Sequence, residues 1–252
     1  MTTAFLINTI RVISLLMEGL YSSYKRDNAH SFSVTTSNTL RGIIGHILQN
    51  KFFILYLGWF YILFNPASTL DKSFNLLSFL SCLLTLDLAG YLLHKANHRF
   101  TFLWTFHSVH HSDRKVNLST GFRVSWLEQT YSFVIFIPVL LLGFNLSTII
   151  ASAYTINLFS LFCHNHYINL PRFFDYIFIT PENHRVHHDE HTKNQNSNYG
   201  NLFSIWDRMF GTFQESQEPL KFGIKGCEQN NFIKMETDPV IDYLKKLRGI
   251  LN

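Results

Sequence analysis

The sequence has few of the residues that would link it to several common protein classes. Its 252 residues include 15% charged residues and carry a formal net charge of +4. That charge is too mild for a nucleic-acid surface, and no basic tract or recognition motif is present. The three cysteines, Cys82, Cys163 and Cys227, form no CxxC pair. We therefore expect no nucleic-acid partner, reduced packing cysteines and no need for an oxidising compartment.

Signals for targeting and for redox cofactors are also missing. No motif for haem, flavin or an iron–sulfur cluster is present. Residues 4–24 are apolar apart from Arg11 and Glu18, but they have no basic start and no small-residue cleavage site. This segment is not expected to be a signal peptide, and we interpret it as a transmembrane or interfacial helix.

Histidine, in contrast, is plentiful and clustered. Eight of the thirteen histidines form one HxxxH and two HxxHH clusters. Residues at i, i+3 and i+4 share one face of a helix, so each cluster presents its imidazoles in one direction. One four-ligand site would use only half of these residues, which favours two metal ions. The clustered residues are His94, His98, His107, His110, His111, His184, His187 and His188.

Two further observations bear on the metal interpretation: some histidines stand alone, and no cluster contains the glutamate of a zinc metalloprotease. His30, His46 and His191 stand alone, and isolated histidines are usually hydrogen-bonded core or surface residues. A zinc metalloprotease would need HExxH, but Lys95 and Ser108 follow the leading histidines of the first two clusters. The general base of that enzyme class is therefore absent.

Apolar runs predict a membrane protein. Residues 74–93 form a 20-residue apolar segment, which is the length needed to cross a bilayer core. Residues 130–144 and 146–163 are separated by Asn145 and predict a helical hairpin whose first arm is short. Residues 52–64 are strongly apolar but also short, and they follow the mixed stretch 40–51.

These segments predict on which side of the membrane the clusters lie. Segment 74–93 delivers the first two clusters to one side, and the hairpin leaves that side and returns to it with the third cluster. Most Lys and Arg residues lie on the cluster side, whereas the opposite loops near 65–73 and 143–147 carry only Lys72. The positive-inside rule therefore predicts a metal site at the cytoplasmic face.

The C-terminal part of the chain changes character after about residue 198. Residues 199–213 are aromatic and amphipathic, and residues 239–251 combine apolar positions with Lys245, Lys246 and Arg248. Residues 239–251 are interpreted as a basic amphipathic helix. This helix either contacts the membrane surface or packs on its own domain, and both interpretations remain open. We divide the chain into N-terminal membrane or interfacial helices (1–73), a catalytic region (74–213) and an amphipathic tail (214–252).

Residues around the histidines carry a resemblance to a known family. The sequence resembles the membrane-bound fatty acid hydroxylase and sterol desaturase superfamily, strongly over residues 80–213. The matching motifs beyond the histidine clusters are Asp87-x3-Tyr91-x2-His94, Leu103-Trp104-x-Phe106-His107, Asn198-Tyr199-Gly200 and Trp206-Asp207-Arg208-x-Phe210-Gly211-Thr212.

The resemblance adds a ninth ligand and marks two departures. His164 matches a family histidine at the end of the membrane helix before the third cluster. His166 stands where the family more often has Asn, so it either donates a hydrogen bond to a ligand residue or is itself a tenth ligand. Ser125 and Trp126 replace a His-Pro pair of the family, which is expected to change the substrate entrance.

The resemblance implies an all-α integral membrane protein of about four to five transmembrane or hairpin helices, with a cytosolic helical cap carrying a histidine-rich dimetal site. It implies two iron ions, O₂ as co-substrate, a lipid substrate, and electrons from a separate donor protein or reductant. The implied metal ligands are His94, His98, His107, His110, His111, His164, His184, His187 and His188.

The implied activity is hydroxylation of a lipid C–H bond, with desaturation at the same metal site as the alternative. A non-catalytic metal transporter or sensor is less favoured, because Asp87 is nearly the only charge inside the confident membrane segments and transport needs ionisable residues along a path. Asp87 and Glu128 either orient ligand imidazoles or form salt bridges to Lys95 and Arg123.

Overall fold

The structure is a computed structural model that describes residues 2–27, 29–64, 74–215, 219–224, 227 and 231–251. Over these residues the regular structure is helical apart from two isolated β-bridges, which confirms the all-α prediction. The α-helices are α1 (Thr2–Lys25), α2 (Phe32–Phe64), α3 (Leu76–Arg99), α4 (Thr101–His111), α5 (Trp126–Tyr131), α6 (Ile137–Leu141), α7 (Leu146–Cys163), α8 (Pro181–His187), α9 (Thr192–Gln195), α10 (Ile205–Met209) and α11 (Lys234–Leu251).

Helices α3 and α7 are long and apolar enough to cross a membrane, with mean hydropathies of 1.9 and 1.6 over their most apolar windows. Protein buries only 33% and 28% of those windows, so most of each surface is free to face lipid. Each helix starts at an asparagine whose side chain accepts a backbone N–H of the first turn: Asn75 from Ser78 at 2.8 Å and Asn145 from Thr148 at 2.8 Å. The cap satisfies a donor that the helix itself leaves free.

The predicted hairpin is present, but its first arm is a broken helix. Helix α5 continues into a 3-10 segment, Ser132–Phe136, and then into α6. Pro138 lies in the first turn of α6, where it lacks an N–H to donate to the preceding turn. Gly143 has a φ of 75° and lets the chain reverse into α7. Residues from this arm pack with α3 and α7 around Cys82, Leu86 and Ile149.

The C-terminal ends of α3 and α7 meet at one end of the molecule. His98 on the last turn of α3 packs 4.7 Å from His111, measured between ring centroids, and His164 directly after α7 packs 5.0 Å from His110. The hairpin therefore brings the chain back to the end where α3 stops. This is the convergence that the segment order predicted.

Two sequence interpretations need correction. The mixed stretch 40–51 and the apolar stretch 52–64 form one continuous helix, α2. Gly45 lets this helix approach α5 closely, since a Cβ there would overlap the Gln129 side chain. The loop 65–73 with Lys72 lies outside the described residues. Helix α11 starts at Lys234, ahead of the predicted residue 239, because the Asn231 side chain accepts the N–H groups of Ile233 and Lys234.

Candidate metal centre

A sharp turn between α3 and α4 brings the first two histidine clusters face to face. Helix α3 ends at Arg99 and α4 begins at Thr101, so only Phe100 separates them. The ring centroids of His94 and His107 are 4.8 Å apart. The HxxxH cluster thus faces the first HxxHH cluster without a loop between them.

The third cluster is delivered by the short helix α8. The Thr180 side chain accepts the N–H of Asn183 and caps this helix, and Pro181 occupies its first turn, where a missing N–H has no cost. His187 then lies 4.5 Å from His94 and 4.6 Å from His111, between ring centroids. All three clusters therefore converge.

The converging side chains form two groups, in each of which the ligand atoms lie within 4.8 Å of one another. Each HxxHH cluster is divided: its i and i+4 histidines join one group and its i+3 histidine joins the other. The first group is His94, His98, His107, His111 and His187, and the second group is His110, His164, His184 and His188. Two short helices therefore contribute to both groups.

In the first group the Nε2 atoms point into a buried space. All five are buried and have no hydrogen-bond partner among the described residues. The Nδ1 atoms of three members are held from outside, His94 donating to the Tyr199 carbonyl at 2.8 Å and His187 donating to the Ser197 carbonyl at 2.7 Å. His107 Nδ1 lies 2.8 Å from Glu128 Oε1. A proton on Nδ1 leaves the Nε2 lone pair free for a metal ion.

In the second group the Nε2 atoms lie against one another. His164 Nε2 is 3.2 Å from His110 Nε2 and 3.0 Å from His184 Nε2. Both His110 and His164 place Nδ1 on a backbone carbonyl, those of Arg123 and Ser160. A carbonyl can only accept, so the proton of each ring is on Nδ1 and two Nε2 lone pairs face each other. A cation between them removes this repulsion.

Burial keeps these imidazoles neutral. It lowers the pKa of His164 to about 4 and, together with the nearby His107, the pKa of His187 to about 3. The pKa values of His110, His184 and His188 fall well below the ordinary value for the same reason, with neighbouring imidazoles adding to the effect. Neutral imidazole is the form that binds a metal ion.

The spacing of the second group fits a metal ion. With metal–nitrogen bonds of about 2.1 Å, two ligands lie about 3.0 Å apart at a right angle and about 3.4 Å apart in a tetrahedron. The Nε2 contacts of His164 with His110 and His184, and that between His184 and His188 at 3.2 Å, lie in this range. The residues present therefore fit a metal ion in their protonation, spacing and burial.

Glu128 makes one of the contacts expected of it. Its Oε1 lies within hydrogen-bond distance of His107 Nδ1 and accepts from Asn97 Nδ2 at 3.0 Å. The Tyr131 hydroxyl in turn donates to Asn97 Oδ1 at 3.1 Å. Arg123 does not pair with Glu128; its guanidinium donates to Val109 O, Ser112 Oγ and Asn38 Oδ1. Of the two roles left open by the sequence, the contact with His107 favours the orientation of a cluster histidine over a salt bridge to Arg123.

Replacing Glu128 by Gln keeps a hydrogen-bond acceptor for His107 but removes the negative charge that makes its imidazole more basic. We expect reduced metal content, and we expect Glu128→Ala to lower metal affinity or turnover by about 10- to 100-fold. Metal analysis of purified protein measures this, with Glu190→Gln as the control acidic variant. Wild-type metal content and turnover in Glu128→Ala would show that the contact between Glu128 and His107 contributes to neither.

Asp87 does not touch any imidazole, Lys95 or Arg123, and this corrects both sequence interpretations. Its carboxylate accepts from Leu202 N at 3.0 Å, Phe203 N at 3.1 Å and Trp206 Nε1 at 2.9 Å. It therefore anchors the 199–206 loop to α3. Through that loop it fixes the Tyr199 carbonyl that binds His94.

The Asn-Tyr-Gly motif shapes the same loop. Asn198 adopts a φ of 54°, and its side chain donates to the carbonyls of Asn183 and Gln214. A Cβ on Gly200 would overlap the Phe203 carbonyl, so the close turn requires glycine. The Asp207 carboxylate accepts the N–H groups of both Tyr199 and Gly200 at 2.8 Å. The Asn-Tyr-Gly motif and Asp207 thus position the Tyr199 carbonyl against His94 of the first group.

The other histidines lie outside both groups. His30 Nε2 lies 2.8 Å from the buried Glu18, His46 is exposed, and the exposed His191 lies 3.3 Å from Asp189. His166 donates from Nδ1 to the Val116 carbonyl at 3.0 Å and belongs to neither group. The structure therefore places His166 outside the set of candidate ligands.

Several partners of the centre have no signal in the sequence. The carbonyls of Tyr199, Ser197, Arg123 and Ser160 hold cluster imidazoles, and a backbone carbonyl is present at every position. Asn97 did have a weak signal, because a polar residue between two cluster histidines on the same helix is expected to be buried with them. It was not identified in advance.

Comparison with known proteins agrees with this geometry. Residues 79–212 match the family model described as fatty acid hydroxylase. The chain belongs to the fatty acid hydroxylase family. This confirms the resemblance based on the histidine clusters and the flanking motifs.

The names of three relatives from the fatty acid hydroxylase family refer to different lipids. Alkylglycerol monooxygenase of Homo sapiens is 32% identical over 149 residues, which are 57% of this chain and 32% of that protein. Ornithine lipid hydroxylase of Rhizobium tropici is 29% identical over 152 residues, 59% of this chain and 46% of that protein. Cholesterol 25-hydroxylase of Homo sapiens is 28% identical over 155 residues, 56% of this chain and 53% of that protein.

The chain spans about a third of the length of the alkylglycerol monooxygenases that it matches. No solved structure matches it.

Proposed function

We propose that this protein is a membrane-bound oxygenase that hydroxylates a C–H bond of a lipid, using O₂ and electrons supplied from outside. The observation that carries the proposal is the arrangement of nine buried or partly buried histidines in two adjacent groups of five and four. The family is a metal-dependent oxygenase family, and its relatives are named as a monooxygenase and as hydroxylases.

We propose two iron ions, one in each group. Imidazole suits zinc, copper, iron and nickel alike, and an alkyl C–H bond requires a redox-active metal with O₂ to supply the oxidant. The chain's own residues hold five of the nine imidazoles through Nδ1 and exclude water by burying the groups. His111 and His188 stack 4.5 Å apart across the boundary between the groups, so the two ions would be neighbours.

We propose a multi-pass topology with the metal site at the cytoplasmic face. The support is that α3 and α7 can each cross a bilayer and that both end at the histidine groups. Basic residues gather near that end, among them Lys95 and Arg99, as the positive-inside rule requires of a cytoplasmic face. Loop 65–73, whose few basic residues would be compared with those near the metal site, lies outside the described residues.

We propose that the substrate is a lipid with a polar head group and that a separate protein or reductant supplies the electrons. A site at the end of two membrane helices leaves the head group at the surface and lets the apolar tail approach from the bilayer. The relatives' names include an alkylglycerol, an ornithine lipid and cholesterol, which defines a first panel of substrates.

The proposal is tested with the full chain in native membranes and in nanodiscs, given isotopically labelled O₂, a reductant system and that lipid panel. We expect a product that has gained one labelled oxygen atom, detected by mass spectrometry. A product that has lost two hydrogen atoms and gained no oxygen would make the protein a desaturase. Absence of any O₂-dependent product from iron-loaded protein would contradict the proposal.

A further inference from the structure

Helix α11 packs on α4, which carries the second histidine cluster, and its first turn is tied to α2 and to the start of α5. Glu236 pairs with Arg41, accepts the Ser125 hydroxyl at 2.7 Å and accepts Trp126 N at 3.3 Å. Further along the helix, the Tyr243 ring packs 5.9 Å from Phe102 of α4, measured between centroids. The contacts fix how α11 is rotated about its axis.

With that rotation fixed, α11 presents two further faces. At 100° per residue, Ile241, Leu244 and Ile233, the residue directly before α11, lie on one side of the docked face, and they are 45%, 49% and 66% exposed. We call these three residues the apolar flank. The side that faces away from Glu236 and Tyr243 carries Lys234, Asp238, Asp242 and Lys245, all exposed, and we call these four the polar flank.

The position of α11 relates the apolar flank to the membrane surface. Helix α4 begins two residues after the candidate span α3 ends, so it lies where the chain leaves the bilayer. Phe100 and Phe102, at the start of α4, are themselves 60% and 54% exposed. Because α11 packs on α4, its apolar flank lies at the same level as these phenylalanines.

We propose that α11 is an interfacial helix whose apolar flank inserts among the lipid acyl chains on the side of the metal centre, with its basic residues on anionic lipid head groups. An amphipathic helix of this kind lies in the plane of the interface with its apolar face about 5–10 Å deep. Lys245, Lys246 and Arg248 lie within one turn, and each basic residue near an anionic surface is attracted to it. The helix thus packs on its own domain and contacts the membrane, which joins the two interpretations left open by the sequence.

A depth measurement on the full chain in nanodiscs tests the proposal. Spin labels are placed at Leu244→Cys on the apolar flank and at Asp242→Cys on the polar flank, in a Cys227→Ser background that leaves the buried Cys82 and Cys163. We expect the label at 244 to collide mainly with O₂, which dissolves in lipid. The label at 242 is expected to collide mainly with a water-soluble nickel complex.

Equal access of the nickel complex to both labels would overturn the proposal. So would spin–spin broadening at 244 that disappears on dilution with unlabelled protein, since a second copy of the chain would then cover the flank. Stable folding of both variants is checked by gel filtration, and a destabilised Leu244→Cys is replaced by Ile241→Cys.

The charge of the lipid provides a second test. Changing the nanodisc from phosphatidylcholine to a mixture with phosphatidylglycerol is expected to deepen the label at 244. The triple variant Lys245→Glu, Lys246→Glu and Arg248→Glu is expected to remove that dependence. Equal depth in both lipids would overturn the role proposed for the basic residues.

Discussion

Replacing His184 by alanine is expected to abolish turnover while the protein still inserts into the membrane and remains folded. His184 Nε2 lies 3.0 Å from His164 Nε2 and 3.2 Å from His188 Nε2, so its loss opens the second group at its centre. Loss of a residue that merely orients a ligand costs about 10- to 100-fold, and we expect loss of a ligand to exceed about 100-fold. The membrane helices survive because each satisfies its own backbone hydrogen bonds.

The same result is expected for alanine at each of the other eight grouped histidines. His191→Ala is the matched control, because it alters an exposed imidazole just beyond the same cluster. His46→Ala and His166→Ala are expected to keep activity, the latter with a mild loss. His30→Ala is expected to keep its metal ions but to lose the pairing with Glu18. Product formation and membrane insertion are measured in parallel, and full activity in two of the grouped variants would contradict the metal assignment.

Replacing Asp87 by alanine is expected to unfold the 199–206 loop and to lower the metal content of the first group. The change leaves three donors without an acceptor: Leu202 N, which is buried, and Phe203 N and Trp206 Nε1, which are partly buried. An unsatisfied buried group costs about 1–3 kcal/mol, so stability falls by about that amount for Leu202 N and by less for each of the other two. The Tyr199 carbonyl then no longer holds His94 in place.

Thermal unfolding in detergent and metal analysis of the same samples check this prediction. Asp87→Asn retains one acceptor oxygen and is expected to lie between wild type and alanine. Asp242→Ala, which removes an exposed carboxylate 3.5 Å from Lys245, is the control and is expected to change neither quantity. An unchanged melting temperature in Asp87→Ala would show that the loop does not depend on this carboxylate.

The sequence predicted the convergence of the histidine clusters better than it predicted the contacts around them. Helical periodicity and the order of apolar segments were enough to place the three clusters together, because both are local properties. The division of the nine histidines into groups of five and four was not predictable. It depends on the angle at Phe100 and on the position of α8, and both are set by packing between distant parts of the chain.

Long-range polar contacts explain the other misses. Asp87 was expected near imidazoles or basic residues, but its partners are more than 110 positions away and two of the three are backbone N–H groups. The pair between Arg41 and Glu236, which fixes α11, joins residues 195 positions apart. Ser125 and Trp126, where the sequence departs from the family pattern, donate hydrogen bonds to the Glu236 carboxylate. A short-range pattern in the sequence does not predict contacts between residues so far apart.

The iron content of the purified protein and of two single-group variants tests the central claim most directly. The chain is produced in iron-supplemented cells, and iron per chain is measured for wild type, for His98→Ala in the first group and for His184→Ala in the second group. Two separate groups predict about two iron ions in wild type and a loss of about one in each variant. Wild type with one iron ion or none, or simultaneous loss of all iron in both variants with the fold intact, would contradict two separate metal sites.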